Sequence, residues 1–171
     1  MPSYPIDPNK LLEHAAQLAG EDAGRGRPSY TNHRRAVSSA YYAAFHQVTD
    51  QVAQRLFPDD PSFQLQARRS VTHGAVSLVC RWLTGRAGAP QHLQPIVQAL
   101  GLDPAVTSVA DSLIGLKEAR EEADYDHTRP FDKRETLTLL EDARATVASL
   151  QAAGPSLDQA MALIALKTTP R

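Results

Sequence analysis

The sequence of 171 residues predicts an all-α fold, an antiparallel bundle of four to five main helices with short extra helices. Apolar residues recur three and four positions apart over long stretches, which is the period of an amphipathic helix. Clusters of proline and glycine divide these stretches into helical lengths and leave little room for strands. The chain length and a hydrophobic content of 42% fit one globular domain over residues 1–171. We expect its core at about 32–152, with 155–171 as a C-terminal extension.

The first two predicted helices are separated by a loop of glycine, arginine and proline. The first covers residues 10–19 and follows Asp7 and Pro8, a capping residue and a proline suited to a first helical turn. The second begins near Thr31 or Asn32 and runs to Leu56, because one apolar face persists throughout. That face consists of Val37, Tyr41, Phe45, Val48, Val52 and Leu56. Tyr41, Tyr42 and Phe45 are predicted to pack in the core, and the alternative is that they stack on bases.

The remaining helices follow the same period. A third is predicted over 63–83, and a short piece over 93–100 leads to a fourth that begins after Asp103 and Pro104. The fourth reaches Tyr125 or His127, since Pro130 disfavours helical geometry at the residue before it. A fifth covers 132–152 and a short sixth covers 157–166. Heptad-like seams on the fourth and fifth helices favour pairing with a second copy of the chain.

Cysteine content and hydropathy bear on the compartment. The single cysteine, Cys80, excludes an internal disulfide and lies in an apolar run, so we expect a small buried hydrophobe. No stretch reaches the length of a membrane span, and residues 1–9 do not resemble a signal peptide. These features predict a cytoplasmic protein that is not associated with a membrane.

The net charge of -1 conceals a segregation of charge along the chain. Residues 23–49 and 61–102 contain arginines and no acid, whereas acids are concentrated later. Arginine binds phosphate oxygens through its forked donors, so four arginines are candidates for RNA binding. They are Arg34, Arg35, Arg68 and Arg69. The alternative is that basic helices pair with acidic helices across the fold.

The stretch from Asp103 to His127 carries the strongest functional signal. Its apolar stripe of Val106, Val109, Leu113 and Leu116 continues as Arg120, Ala123 and His127, on what is predicted to be one helix face. A charged group on a packing face costs free energy unless it is paired or used in function.

Arginine and histidine together suffice for metal-free RNA cleavage. Imidazole transfers protons near neutral pH, and guanidinium holds a phosphoryl group while the ribose 2′-OH attacks phosphorus. Asp124, four residues after Arg120, is placed to pair with the guanidinium or orient it. In the alternative interpretation, Arg120 and Asp124 form a surface ion pair and His127 caps the C-terminus of the helix.

Three segments in order resemble the HEPN superfamily, in the branch of small uncharacterised bacterial and archaeal proteins. Residues 34–46, RRAVSSAYYAAFH, resemble the signature R-A-x-S-x-A-Y-Y-A-x-F-H. Residues 72–76, THGAV, resemble a histidine-glycine turn of the third helix. Residues 116–126 resemble the segment L-x-x-x-R-x-x-A-D-Y-D. The resemblance covers about 32–150.

The resemblance implies a HEPN-like bundle of four or five helices that forms a homodimer and often acts as a metal-independent ribonuclease. In the family an Arg-x(4 to 6)-His motif from each subunit meets at the interface, and Arg120 and His127 fit that spacing. Arg120 would stabilise the phosphorane and His127 would act as general acid or base, with Glu121 and Asp124 in support and no cofactor or metal. Glu121 stands where active members usually have Asn, Asp or His.

Many HEPN proteins are toxins neutralised by a partner nucleotidyltransferase, or effectors of antiviral defence. Some are silenced by nucleotidylation of a tyrosine just after the motif histidine, so the nearby Tyr125 is a candidate modification site. Others bind only RNA or protein. The alternative functions are therefore an interaction module that dimerises or docks a partner protein, and an RNA binder without cleavage.

Overall fold

The computed structural model describes residues 6–21 and 28–168, and these residues form eight α-helices, one 3₁₀ turn and no strand. The predicted all-α fold is thereby confirmed. The elements are α1 Pro8–Ala19, α2 Tyr30–Leu56, α3 Pro61–Ser70, α4 His73–Leu83, the 3₁₀ turn Gln91–Leu93, α5 Gln94–Gly101, α6 Pro104–Tyr125, α7 Lys133–Gln151 and α8 Pro155–Thr168.

The long helix α2 is the centre of the bundle. It packs against α1, α3, α6, α7 and α8, so both of its sides are covered. Five alanines on α2 are at most 1% exposed, and their small side chains let the neighbouring helices approach closely. They are Ala36, Ala40, Ala43, Ala44 and Ala53. Because α2 touches most of the fold, its polar side chains can be held by residues distant in sequence.

The prediction of one helix over 63–83 is wrong, because the chain breaks between α3 and α4. Val71 has an extended backbone, with φ -71° and ψ 120°, and Thr72 is the N-cap of α4. The Thr72 hydroxyl accepts a hydrogen bond from the amide of Ala75 at 3.1 Å. This bond satisfies one of the amides that a new helix leaves unpaired. The continuous apolar spacing concealed the break.

The fourth predicted helix, α6, ends at Tyr125, so His127 does not lie on the helical stripe where the sequence placed it. Asp126 has φ -94° and ψ 96°, outside helical geometry. Its carboxylate accepts hydrogen bonds from the amide of Thr128 at 2.9 Å and from its hydroxyl at 2.7 Å. An aspartate that binds the backbone two residues ahead stabilises a turn in place of the helix. His127 lies in this turn.

The main core includes residues outside the segment that resembles the family. From α1 it takes Leu12 and Ala15, and from α8 it takes Leu157, Met161 and Ile164. The helix α8 is thus packed into the same core as the central helices. Cys80 is buried as expected, and burial raises the pKa of its thiol to about 12.

No single helix within the described ranges is both long and apolar enough to cross a membrane. Gln91–Gly101 and Pro104–Tyr125, which are bent relative to each other, have the length and apolar composition of a span only when the two are taken together.

Candidate functional site

Two polar pairs join α2 to α6 and fix the position of Arg120. Nη2 of Arg120 donates a hydrogen bond to the hydroxyl of Tyr42 at 2.6 Å. One turn away, the hydroxyl of Ser38 donates to Oδ1 of Asp124. Ser38 and Tyr42 are four residues apart on α2, as are Arg120 and Asp124 on α6, so each pair of residues lies on one face of its helix. We call these four residues the ladder.

The guanidinium of Arg120 is anchored on one side. Its Nε lies 2.7 Å from Oδ2 of Asp124, and the side chain is 18% exposed. The Nε–H does not point along that line, so this contact is an ion pair without a hydrogen bond. Burial disfavours the charge of Arg120, but the hydrogen bond to Tyr42 and the charge of Asp124 outweigh it, and the pKa of Arg120 is raised.

One terminal nitrogen of Arg120 is left for a ligand. Nη1 donates to no residue within 6–21 and 28–168, whereas Nη2 and Nε face Tyr42 and Asp124. The ring of the exposed Tyr125 lies 5.3 Å from the guanidinium carbon, measured to the ring centroid. An anchored arginine with a free donor loses little conformational freedom when it binds an oxyanion.

An open cleft of about 710 Å³ lies beside the ladder. Three of the four ladder residues, Ser38, Tyr42 and Asp124, line it, and so does His127. The other lining residues are His14, Tyr30, Thr31, Arg34, Arg35, Ser39 and Ala123. Arg120 itself does not line the cleft, and its link to the cavity that His127 lines is its ion pair with Asp124.

His127 is exposed and makes no hydrogen bond with any part of the chain that the structure describes. The alternative role that the sequence offered it, capping of α6, is taken by Arg34. Nη2 of Arg34 donates to the carbonyl oxygens of Glu122 at 3.1 Å and Asp126 at 2.8 Å, and Nη1 donates to that of Arg129 at 3.0 Å. The carbonyl of Glu122 also accepts the amide of Asp126 at 3.0 Å, so Arg34 adds a charged donor at the C-terminal end of α6, where the helix dipole favours a cation.

The four arginines predicted to bind RNA have different surroundings. Arg35 lines the cleft, is exposed and has no acceptor among the described residues, in contrast to the capping Arg34. Arg68 pairs with Asp50, which is 16 residues after Arg34 on α2. At 1.5 Å per residue, the position where Arg68 meets α2 is about 24 Å along the helix axis from Arg34. Arg69 is exposed next to Arg68. The arginines do not form one continuous patch.

Glu121 lies away from the cleft. Its carboxylate pairs with Lys117, and it lines a separate hollow between α4 and α6. Of the predicted catalytic set, Asp124 pairs with Arg120 and lines the cleft with His127, whereas Glu121 does neither.

A cluster of aromatic and histidine side chains backs the ladder. The hydroxyl of Tyr41 lies 2.6 Å from Nδ1 of His73, and the rings of Phe45 and His73 stack with centroids 3.8 Å apart. Tyr42 makes an edge contact with His73 at 5.9 Å and stacks against His46 at 6.3 Å. The expected packing of Tyr41 and Phe45 is confirmed, since both are buried.

Both histidines of this cluster have a lowered pKa. Burial is the main cause for His73, and the positive charge of Arg120 adds to it. Burial also lowers the pKa of His46, against the opposing charge of Asp50. Both rings therefore favour the neutral form in the fold.

Sequence reasoning missed Ser38 and the role of Tyr42, which it assigns to the core although Tyr42 is half-buried and bonds Arg120, and it missed His14. The signal available for the first two was that two polar pairs share the same four-residue spacing, one on each of two predicted helices. For His14 the sequence offers no signal, because an exposed histidine on an amphipathic helix is ordinary.

No three His, Cys, Asp or Glu side chains in the described ranges lie close enough together to hold a metal ion. The chemistry that the cleft residues themselves offer is anion binding by guanidinium and proton transfer by imidazole.

Comparisons with protein-family models, with curated proteins and with solved structures gave no match for this chain.

Proposed function

We propose that this protein is a metal-independent endoribonuclease of the HEPN type. It acts as a homodimer in the cytoplasm, within a toxin-antitoxin or defence system, with a nucleotidyltransferase antitoxin or another protein as its partner. Arg120 stabilises the phosphorane, and His127 transfers a proton as general acid or base. The three segments that resemble the family supply the reaction type.

The observation that carries the proposal is the anchoring of Arg120. Tyr42 and Asp124 hold one side of its guanidinium, which leaves Nη1 without an acceptor among the described residues, and both of these anchoring residues line the cleft together with His127. A guanidinium held before the substrate arrives stabilises developing negative charge without reorganisation. Arg120 bonds Tyr42, and its ion-pair partner Asp124 is itself held by Ser38, which is more support than a simple ion pair requires.

RNA cleavage in excess chelator tests the proposal. We expect the wild-type protein to cut RNA with EDTA present, and His127→Ala to slow cleavage by about 10²- to 10⁴-fold, the usual contribution of a general acid or base. Arg120→Ala is expected to slow it by about 10²-fold or more, as loss of an oxyanion donor does.

His92→Ala is the matched control, since His92 is exposed on the 3₁₀ turn and does not line the cleft. It should cut RNA at the wild-type rate. Wild-type protein that leaves RNA intact, or His127→Ala that cuts as fast as wild type, excludes the catalytic function.

The second candidate function is a non-catalytic interaction or RNA-binding module. Specific observations favour it: Glu121 is turned towards Lys117, and the predicted RNA ligands Arg34 and Arg68 are already paired within the chain. This function predicts that Arg120→Ala weakens self-association or partner binding while RNA stays uncut by the wild type. Light scattering after size exclusion, with cleavage measured on the same samples, separates the two functions.

A further inference from the structure

We infer that His14 is a second imidazole of the cleft, and that His14 and His127 of one chain bracket a single phosphate group. The inference rests on the proposed ribonuclease function for its chemical role. Its binding part can be tested without cleavage. Each chain then carries both an acid and a base for phosphodiester cleavage.

The cleft is built from three segments of one chain. Seven lining residues, from Tyr30 to Tyr42, come from α2, and the others come from two further parts of the chain. His14 comes from α1, whereas Asp124 and His127 come from the last turn of α6 and the turn beyond it. Two exposed imidazoles from different elements thus share one cavity.

The helix that carries His14 is held firmly. Leu12 and Ala15, on either side of it, are buried in the main core. At the end of α1, both terminal nitrogens of Arg144 donate to the carboxylate of Glu21 at 2.7 Å. The Arg144 hydrogen bond lowers the pKa of that carboxyl. Such support on a regular element is what a side chain in a reacting site requires.

A second hydrogen bond, besides those of Arg144, joins α7 to the end of α1. Nζ of Lys133 donates to the carbonyl of Gly20 at 2.7 Å, and Gly20 ends α1 with a positive φ of 66°. Glycine adopts that conformation without strain. Lys133 is the first residue of α7 and follows the turn that holds His127. Its bond to Gly20 therefore ties the segment after His127 to the end of α1, the helix that carries His14.

His14 is not occupied by a structural task. It is exposed and makes no hydrogen bond or ion pair within 6–21 and 28–168. The exposed Arg35 of the same cleft also lacks an acceptor in those ranges, and it supplies positive charge for the phosphate. The hydroxyl of Ser39 adds a donor that needs no charge.

The balanced reaction needs two imidazoles in opposite protonation states. The neutral imidazole takes the proton of the ribose 2′-OH while the 2′-oxygen forms a bond to phosphorus. The bond from phosphorus to the 5′-oxygen breaks, and the imidazolium gives its proton to that oxygen. The products are a 2′,3′-cyclic phosphate and a 5′-OH, and no oxidant, reductant or metal is consumed. Afterwards the two histidines have exchanged protonation states.

Cleavage by His14→Ala in excess EDTA tests the chemical role. We expect a loss of about 10²- to 10⁴-fold and a pH–rate profile that keeps only one of its two limbs, because one titrating group has been removed. Free imidazole should restore part of the rate, which it does not do for a folding defect. The His92→Ala control should keep the rate and both limbs. A His14→Ala protein with the wild-type rate and profile overturns the inference.

A titration with inorganic phosphate, followed by the imidazole resonances in NMR, tests the shared site even if no RNA is cut. We expect the resonances of His14 and His127 to shift together with one dissociation constant, while that of His92 stays in place. If His14 does not shift, or shifts with a different constant, the inference is overturned. Absence of cleavage together with these joint shifts refutes the ribonuclease proposal and leaves the phosphate site standing.

Discussion

Arg34 and Arg35 are adjacent on α2, but their side chains have different partners. Arg34 donates to three carbonyl oxygens at the end of α6 and in the following turn, and also to the hydroxyl of Tyr30 at 2.7 Å. Arg35 is exposed at the cleft. The segregation of charge in the sequence identified both as phosphate ligands, because composition does not distinguish a capping arginine from a free one.

We predict that Arg34→Ala lowers the free energy of unfolding by about 1–3 kcal/mol, since several hydrogen bonds from a charged group are lost. Arg35→Ala should change it by less than about 0.5 kcal/mol, as is usual for a surface substitution. Urea denaturation measures both. Equal effects of the two substitutions would contradict the capping role of Arg34.

Tyr42 has a polar partner that the sequence did not predict. The apolar period of α2 identified the neighbouring Tyr41 and Phe45 as core residues, and both are buried. The hydroxyl of Tyr42 instead meets Arg120, which is 78 residues away in the sequence. A period along one helix carries no information about the polar partner on another helix. The spacing of Arg120 and Asp124, by contrast, was sufficient to predict their ion pair.

At the scale of elements, apolar periodicity found the helices and placed most of their ends within three residues. It failed between α3 and α4, because Val71 and Ala75 keep the helical register across the break, although Gly74 lies between them. The signal that was overlooked was Thr72, a good N-cap residue, placed before the apolar run of α4. A threonine can cap a new helix or lie within a continuous one. Tertiary packing decides between the two, and the local sequence pattern carries no information about that packing.

We predict that Thr72→Ala destabilises the protein by about 1 kcal/mol through loss of the cap. Thr138→Ala is the matched control, because Thr138 is exposed within α7 and alanine has the higher helix propensity there. That variant should be unchanged or more stable by up to about 0.5 kcal/mol. Thermal unfolding of the two variants measures the difference, and loss of stability in Thr138→Ala but not in Thr72→Ala would reverse the assignment.

At the scale of the whole molecule, basic and acidic elements pair as the alternative interpretation of the charge pattern predicted. Arg81 of α4 lies 3.5 Å from Glu118 of α6, and Arg86 lies 2.9 Å from Asp111 of α6. These exposed pairs contribute little stability individually. They pair arginines of a basic stretch with acids of α6, whereas Arg35 and Arg69 are the exposed members of the predicted RNA-binding set.

The histidine cluster gives the fold a pH dependence with a definite sign. Because burial lowers the pKa of His73 and His46 below the ordinary 6.5, the unfolded chain binds more protons than the fold as the pH falls through 6.5. Stability is therefore fully present above that pH and is lost below it. The charges of Arg120 and Lys117 act in the same direction on His73, and that of Glu121 opposes them.

We predict that the free energy of unfolding of the wild type decreases between pH 7.5 and 5.5, and that His73→Gln shows a shallower decrease. His92→Gln should follow the wild type, since His92 is exposed and outside the cluster. Urea denaturation at three pH values measures the slopes. Equal slopes for wild type and His73→Gln would show that this cluster does not control acid stability.

End-group analysis of the products tests most directly the proposal that Arg120 and His127 cleave RNA without a metal. A labelled RNA and its 2′-O-methyl counterpart are incubated with the protein in excess EDTA. We expect fragments that end in a 2′,3′-cyclic phosphate from the RNA, none from the 2′-O-methyl strand, and loss of the fragments with His127→Ala. Intact RNA, cleavage of the 2′-O-methyl strand, or undiminished cleavage by His127→Ala would contradict it.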